Sequence, residues 1–334
     1  MTIRVGLVGT GYAARARAEA LAADSRSQLV AVAGRDRERA AAFGQPYGAE
    51  AMPWLELVQR QDIDLVVVAT MNCDHGPVAH AAVTQKKAVV VEYPLALDLQ
   101  EAQAIADLAQ RQGTFLHVEH IELLSGIHQT IQEALPEVGT PFYLRYISTV
   151  AKQPAPQRWN YSLAQFGFPL VGALSRIHRP INLFGPVDEV FCGSRVWSSE
   201  GKPLSLDHSG FFGSILCTAQ LRFTSGLLAE VVYGKGQALW DTQRQFELQG
   251  AQGRLQVASS HGELRLADGV TRELTVGSRR GLFARDTAMV LDALEGSSDR
   301  YVTVEESLYS LRVADAARRS AAVGQPISLS SPPT

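Results

Sequence analysis

The first fourteen residues place the strongest constraint on what this chain can fold into. An apolar run, Ile3-Arg4-Val5-Gly6-Leu7-Val8, leads straight into Gly9-Thr10-Gly11-Tyr12-Ala13-Ala14, and an alanine-rich segment follows to Ala23. A strand, a glycine turn and a helix in that order present backbone N–H groups of a helix N-terminus to a pyrophosphate. Gly9 permits the tight turn, Gly11 lets the backbone approach the diphosphate, and Ala14 stands in for a third glycine where helix and strand pack. Tyr12 opens the helix and is counted with them among the expected cofactor contacts.

Apolar runs of strand length go on alternating with helical stretches as far as about His120: Leu29 to Ala33, Leu65 to Ala69, Ala88 to Val91 and Phe115 to Val118. That alternation predicts a doubly wound parallel α/β sheet of Rossmann type over residues 1–121. Beyond Gly139 the texture changes to longer strand-like segments, Phe142 to Val150, Val187 to Trp197, Phe211 to Phe223, Leu227 to Tyr233 and Gln245 to Gln249. These predict an α+β domain over 122–327 built on a large, mostly antiparallel sheet. A helical segment from about Phe166 to Phe184 interrupts it, and two more run near Ala284 to Glu295 and Val304 to Val323. The Ser- and Pro-rich end, 328–334, reads as a flexible tail.

With 334 residues, 46% of them hydrophobic and 19% charged, the chain can bury two substantial cores. A net charge of -3 offers no bulk attraction to nucleic acid or to an anionic membrane. Cys73, Cys192 and Cys217 are scattered, which argues against a disulfide framework and against a zinc site. No apolar run approaches spanning length. The expectation is a soluble, cytoplasmic protein without a metal.

The choice of dinucleotide falls to the end of the second strand, where an acidic residue holds the ribose hydroxyls of NAD. The chain reads Val32-Ala33-Gly34-Arg35-Asp36-Arg37 there. Gly34 removes bulk where the acid would stand, and Arg35 offers a planar fork for a 2′-phosphate, with Arg37 in support. NADPH (NADP) is the expected cofactor. Asp36 keeps a ribose contact open, so NADH stays as a weaker alternative.

Further along stands Val91-Glu92-Tyr93-Pro94. Together with the glycine fingerprint it resembles the glucose-fructose oxidoreductase and inositol dehydrogenase superfamily, whose corresponding tripeptide is Glu-Lys-Pro, with its lysine beside the nicotinamide. Here that position is Tyr93. The resemblance also matches Ala69-Thr70-Met71-Asn72-Cys73-Asp74-His75 to the superfamily's Thr-Pro-Asn segment. It implies cofactor contacts from Thr70, Asn72, Glu92 and Tyr93. His75 is counted on the cofactor side, although a histidine heading the next helix is commonly structural in this superfamily. Cys73 has no adjacent base that would mark it as a nucleophile.

Alcohol oxidation in that superfamily also uses an Asp-x-x-x-His pair in the second domain. The matching segment, Gly172-Ala-Leu-Ser175-Arg176-Ile-His178-Arg179-Pro180, holds Ser175 in place of the aspartate and Arg179 in place of the histidine. Arg176 and Arg179, spaced i and i+3, would share one helical face and repel each other, an arrangement that wants an anion. A structural cluster with Glu119, Glu122 or Glu92 is the plainer alternative. The Glu-Tyr-Pro tripeptide, the Ser175-Arg176 pair with Leu183-Phe184-Gly185, and the segment Leu116 to Leu124 resemble the biliverdin reductase family of bacterial and cyanobacterial type.

That resemblance implies NADPH-dependent reduction of biliverdin to bilirubin, by hydride transfer to the central methine carbon. Arg176 would stabilise the developing anion electrostatically, because arginine keeps its proton. Tyr93 would orient substrate or cofactor, and Glu92 would position the nicotinamide or relay a proton. Arg179, Lys235 and Arg244 would meet the bilin propionates, with Glu119 as a further substrate contact. Two alternatives stay open: another NADP-dependent oxidoreductase of the superfamily acting on a sugar or an imine, and a non-catalytic nucleotide-binding regulatory protein. The expected partner is a small-molecule bilin, not nucleic acid or membrane; oligomeric state stays open.

Overall fold

The parallel sheet forms because its strands are apolar at nearly every position. In the computed structural model, which describes residues 2–329, all four residues of Leu65–Val68 are buried, as a strand covered on both faces requires. The sheet contains β1 (Ile3–Val8), β2 (Ser27–Ala33), β3 (Glu50–Ala51), β4 (Leu65–Val68), β5 (Ala88–Val91) and β6 (Leu116–Val118). Their order is β3-β2-β1-β4-β5-β6, all parallel. The winding reverses between β1 and β4, and at the C-terminal ends of such strands doubly wound folds bind their ligands. Val5, Leu7, Val32, Leu65, Val67 and Val90 form the core with Ala14, Ala18 and Leu21 of helix Tyr12–Ala23.

A second sheet has ten strands: β7 (Pro141–Ala151), β8 (Val187–Trp197), β9 (Pro203–Leu204), β10 (Ser214–Phe223), β11 (Leu228–Gly236), β12 (Gln243–Gly250), β13 (Gly253–Ala258), β14 (His261–Leu266), β15 (Thr271–Thr275) and β16 (Ile327–Ser328). The order is β15-β14-β13-β12-β7-β11-β10-β8-β16, with β9 beside β8, and only β7 and β11 pair in parallel. Burial alternates along β10, so one face of this sheet is covered and the other open. Helix Gly126–Val138 packs on β13 and β14.

The chain divides into two compact units, Met1–Ile121 with Gly281–Leu308, and Glu122–Arg280 with Tyr309–Thr334. Gly281–Leu308 groups with the first unit because helix Leu282–Leu294 packs on helix Tyr12–Ala23. The helical segment expected over 166–184 is three short helices, Leu163–Phe166, Pro169–Gly172 and Ser175–Phe184. Gly167 takes a φ of 91°, and Pro169 restarts the chain at a first helical position. Of the tail expected over 328–334, Ser328 pairs with β8 and the Leu329 N–H donates to Asp188, while 330–334 lie outside the described residues. No helix among the described residues is long and apolar enough to cross a membrane.

Candidate active site

Gly9 sits at the end of β1 with a φ of 132°, and a Cβ there would collide with the Ala69 carbonyl. Backbone geometry alone therefore demands glycine. Gly11 is different. It is the N-cap of helix Tyr12–Ala23 in an extended conformation, and a Cβ on it would meet nothing within 4 Å. Protein packing does not require this glycine; close approach of a diphosphate to the helix N-terminus does. The residues present thus fit a dinucleotide. Ala14 is fully buried in the core and serves helix packing, not direct cofactor contact. Tyr12 is 83% exposed, its ring edge-on to Phe283.

At the end of β2, Asp36 caps the helix Arg37–Gly44 by accepting from the Arg39 N–H at 2.8 Å. The cap uses one carboxylate oxygen of Asp36, which is exposed, so its second oxygen still faces the loop where a ribose would lie. Arg35 and Arg37 are exposed, with no ion pair among the described residues. Arg39 Nη2 donates to the Thr10 carbonyl at 3.2 Å, a third cation at this loop that the sequence reading missed. A Cβ on Gly34 would crowd Thr10 at 3.0 Å, so glycine also keeps the two loops together.

Thr70 donates to the Met71 carbonyl at 3.2 Å, and Asn72 opens helix Asn72–Thr84 as a buried residue. His75 is corrected to a positioning role: it is 1% exposed and its Nδ1–H donates to the Pro94 carbonyl at 2.8 Å. Burial pushes it down, so it stays neutral and anchors the Tyr93-Pro94 turn. Tyr93 stacks on the His120 ring at 5.5 Å and 7°.

Glu92 accepts from Arg17 Nε at 2.9 Å, and Arg17, 2% exposed, also donates to Asp286 and Thr287. Asp286 further accepts from Tyr301 at 2.6 Å and lies 3.2 Å from His117 Nε2. Burial pushes Asp286 up, but Arg17, His117 and Tyr301 outweigh it and hold the carboxylate well below its ordinary range. Glu119 behaves oppositely: burial and then the charge of Glu92 push it well above its ordinary value. A substrate contact for Glu119 is not what this placement provides; the residue is 2% exposed and accepts from the Ile121 N–H at 2.7 Å.

Within the other unit, a pocket is lined by Glu122, Tyr146, Ser148, Arg176, Arg179, Arg244 and Arg279 among others. Helix Ser175–Phe184 aims Arg176 and Arg179 the same way, as their spacing predicted, and each Nη1 donates to Tyr146 Oη at 2.9 Å. Arg179 Nη2 donates to the Glu122 carboxylate at 3.0 Å and carbonyl at 3.1 Å, and Arg279 pairs with the same carboxylate. Burial pushes Glu122 up, but Arg179, Arg176 and Arg279 hold it below its ordinary value. Arg244 has no ion pair among the described residues; burial and then the charges of Arg279 and Arg176 push it down. Four guanidiniums thus line a pocket with one carboxylate. It is built to accept an anion.

Two of the sequence expectations need correcting here. Arg179, 2% exposed, has both terminal nitrogens engaged inside the protein, so of the plainer alternatives Glu122 is its partner and a propionate is not. Lys235 is not in the pocket lining: it is 6% exposed, with Nζ 3.6 Å from the Phe166 centroid and Tyr161, Phe212 and Tyr233 around it. Burial, then Arg158, pushes its ammonium down to about 7. Tyr146 and Arg279 were missed; both reach the pocket from strands or loops with no local motif.

Residues 3–120 match the model of an oxidoreductase family with an NAD-binding Rossmann fold, and residues 136–329 match that family's C-terminal alpha/beta domain. A crystal structure of biliverdin reductase from Synechocystis sp. PCC 6803, in complex with biliverdin and NADP+, is 45% identical with a TM-score of 0.91, covering 96% of this chain and 99% of that one. A 1,5-anhydro-D-fructose reductase from Ensifer adhaerens is 26% identical over 96% of this chain and 97% of its own. Biliverdin reductase A of Mus musculus is 29% identical over 39% of this chain and 41% of its own.

Proposed function

The chain belongs to the oxidoreductase family that joins an NAD-binding Rossmann fold to a C-terminal alpha/beta domain, and on that footing we propose that it reduces biliverdin to bilirubin with NADPH. The observation that carries the reading is the arginine pocket. Where an alcohol-oxidising relative needs an aspartate and a histidine, this chain has Ser175, buried, and Arg179, tied to Glu122; where it needs a lysine, there is Tyr93. No base remains in those places to take a hydroxyl proton. The cationic lining suits instead a substrate that carries carboxylates and gains negative charge as it reacts. The likeness to a biliverdin reductase crystallised with biliverdin and NADP+ supports the same substrate.

NADPH, when bound, supplies the hydride that adds to the central methine carbon. Gly9 and Gly11 would admit its diphosphate to the helix N-terminus, and Arg35 and Arg37, with Arg39 nearby, would hold the 2′-phosphate. Thr70, Asn72, Glu92 and Tyr93 would border the nicotinamide ribose, with Arg17 fixing Glu92 and His75 fixing the turn. Arg176 would stabilise the electron density that reaches the pyrrole system, and Arg244, which lacks an anion partner among the described residues, would take a propionate.

The test is absorbance. Purified protein given biliverdin and NADPH should lose the biliverdin band and yield bilirubin, identified by chromatography. NADP reduction driven by a sugar, without bilin turnover, would replace this reading with a sugar oxidoreductase. NADPH binding without turnover of either would favour a regulatory role.

A further inference from the structure

Tyr146 stands on β7, 5% exposed, with its ring edge-on to Phe246 at 5.6 Å. Its Oη accepts from Arg176 Nη1 and Arg179 Nη1, both at 2.9 Å. A phenolic oxygen has two acceptor sites and one hydrogen to give, and a guanidinium can only donate. Both acceptor sites are therefore occupied, and the hydroxyl hydrogen is directed elsewhere. Among the described residues Tyr146 has no hydrogen bond in which it is the donor. Its neighbours in the pocket lining are Arg244 and Phe246 of β12, Glu122, Ser148 and Arg279.

Resting on the biliverdin reading, we propose that Tyr146 is the catalytic acid of the reaction. Hydride arrival forms a C–H bond at the methine carbon, the conjugated π bond shifts, and an electron pair comes to rest on a ring nitrogen. That nitrogen takes the Tyr146 hydroxyl hydrogen as a proton: an N–H bond forms, the O–H bond breaks, and its electron pair stays on Oη. One hydride and one proton are added, so the bilin is reduced by two electrons. The tyrosinate left behind lies between two guanidiniums already bonded to its oxygen, and a proton from water restores the phenol.

The other groups of the lining suit the task less well. Arg176, Arg179, Arg244 and Arg279 keep their protons at physiological pH. Glu122 is held ionised by the arginines around it. Ser148 would leave an alkoxide with no guanidinium bonded to it. Arg176 and Arg179 are then more than a charge over the substrate; together they fix which way the phenol hydrogen points.

The experiment is Tyr146→Phe, which keeps the ring against Phe246 and removes only the hydroxyl. Single-turnover reduction of biliverdin by the NADPH-loaded protein is followed in H2O and D2O across pH, with biliverdin Kd and NADPH Kd from fluorescence quenching. We expect the single-turnover rate to fall by about a hundredfold, within the usual range for a general acid, while both Kd values hold. The wild-type solvent isotope effect should vanish on the residual rate. Fluorotyrosine at position 146, a more acidic phenol, should move the alkaline limb of the pH–rate profile to lower pH. A variant that keeps the parental rate and isotope effect overturns the assignment of Tyr146 alone. Wild-type protein that never yields bilirubin overturns the substrate reading, and this proposal with it.

Discussion

Arg179 and Glu122 form an ion pair at 3.0 Å in which the arginine side chain is 3% exposed and the carboxylate 10%. The pair makes Arg179 a strut of the arginine-lined pocket. Removing one partner of a buried pair leaves the other uncompensated, at a typical cost of about 3–5 kcal/mol. Glu122→Gln should therefore lower the urea midpoint of unfolding strongly, because it removes the one carboxylate among four guanidiniums, and Arg179→Ala less so, because Arg279 still pairs with Glu122. A variant Arg179→Ala as stable as the parent, but with weakened bilin affinity, would restore the propionate role that the sequence suggested.

In the proposed reading dinucleotide preference rests on Arg35, beside Asp36, which caps the next helix. Arg35→Ala should raise the Michaelis constant for NADPH by on the order of tenfold, the loss of one charge-assisted phosphate contact, with little change for NADH. Equal effects on the two cofactors would remove the phosphate from this site.

Two buried histidines should make stability fall in mild acid. Burial and then Arg179 push His128 down to about 4, and burial and then His128 push His178 down to about 3. Because both folded values lie below the unfolded one, near 6.5, the unfolded chain binds protons that the folded chain refuses as the pH drops. Stability from these residues is whole above about 6.5 and declines below it, each adding a slope of up to roughly 1.4 kcal/mol per pH unit until its folded value is reached. Urea midpoints measured from pH 7 to pH 5 should show the decline, and His178→Asn should flatten it. An unchanged slope in that variant would assign the acid sensitivity to other groups.

The parts of this fold and site that can be read in the sequence are those whose pattern is local. Gly9 and Gly11 announce a turn that Val8 and Tyr12 complete within a few residues, and the all-apolar Leu65–Val68 can only be a covered strand. Arg176 and Arg179 share a helical face by spacing alone, and both do reach one phenol oxygen. Tyr146 itself, 30 residues before Arg176, looks like any inward residue of an alternating strand. Arg17 meets Asp286 across 269 residues of sequence, and Arg279 meets Glu122 across 157. Only the folded topology brings such partners together, and no spacing rule reports it. Strand β15 was missed because Thr271–Thr275 is mostly exposed and carries little apolar alternation.

Arg244 lines the anion pocket without an anion partner among the described residues, pushed down by burial and by Arg279 and Arg176. A substrate carboxylate would relieve that repulsion. Arg244→Ala should raise the Michaelis constant for biliverdin while leaving single-turnover reduction of saturating bilin close to the parental rate. The dimethyl ester of biliverdin supplies the control, since the variant and the parent should handle it alike. A variant that loses affinity for ester and acid equally would show that Arg244 shapes the pocket without reading a carboxylate.

Arg176 carries the sharpest expectation. Its guanidinium lies 5.8 Å from the Tyr146 ring centroid and donates to that phenol at 2.9 Å, so its orientation is set before any substrate enters. Preorganised charge of this kind, once removed, typically costs about 2.7–4 kcal/mol of transition-state stabilisation, a hundredfold to a thousandfold in turnover. Arg176→Ala should therefore lose turnover while NADPH binding, which belongs to the other unit, is retained. Arg176→Lys should recover only part of the rate, because a compact ammonium cannot make the planar, multi-donor contact that guanidinium makes with both a phenol and a flat pyrrole system. Single-turnover kinetics separate this loss from slow product release. If Arg176→Ala reduces saturating bilin at the parental rate, the arginine supports the pocket wall and the charge that stabilises the substrate comes from elsewhere in the lining.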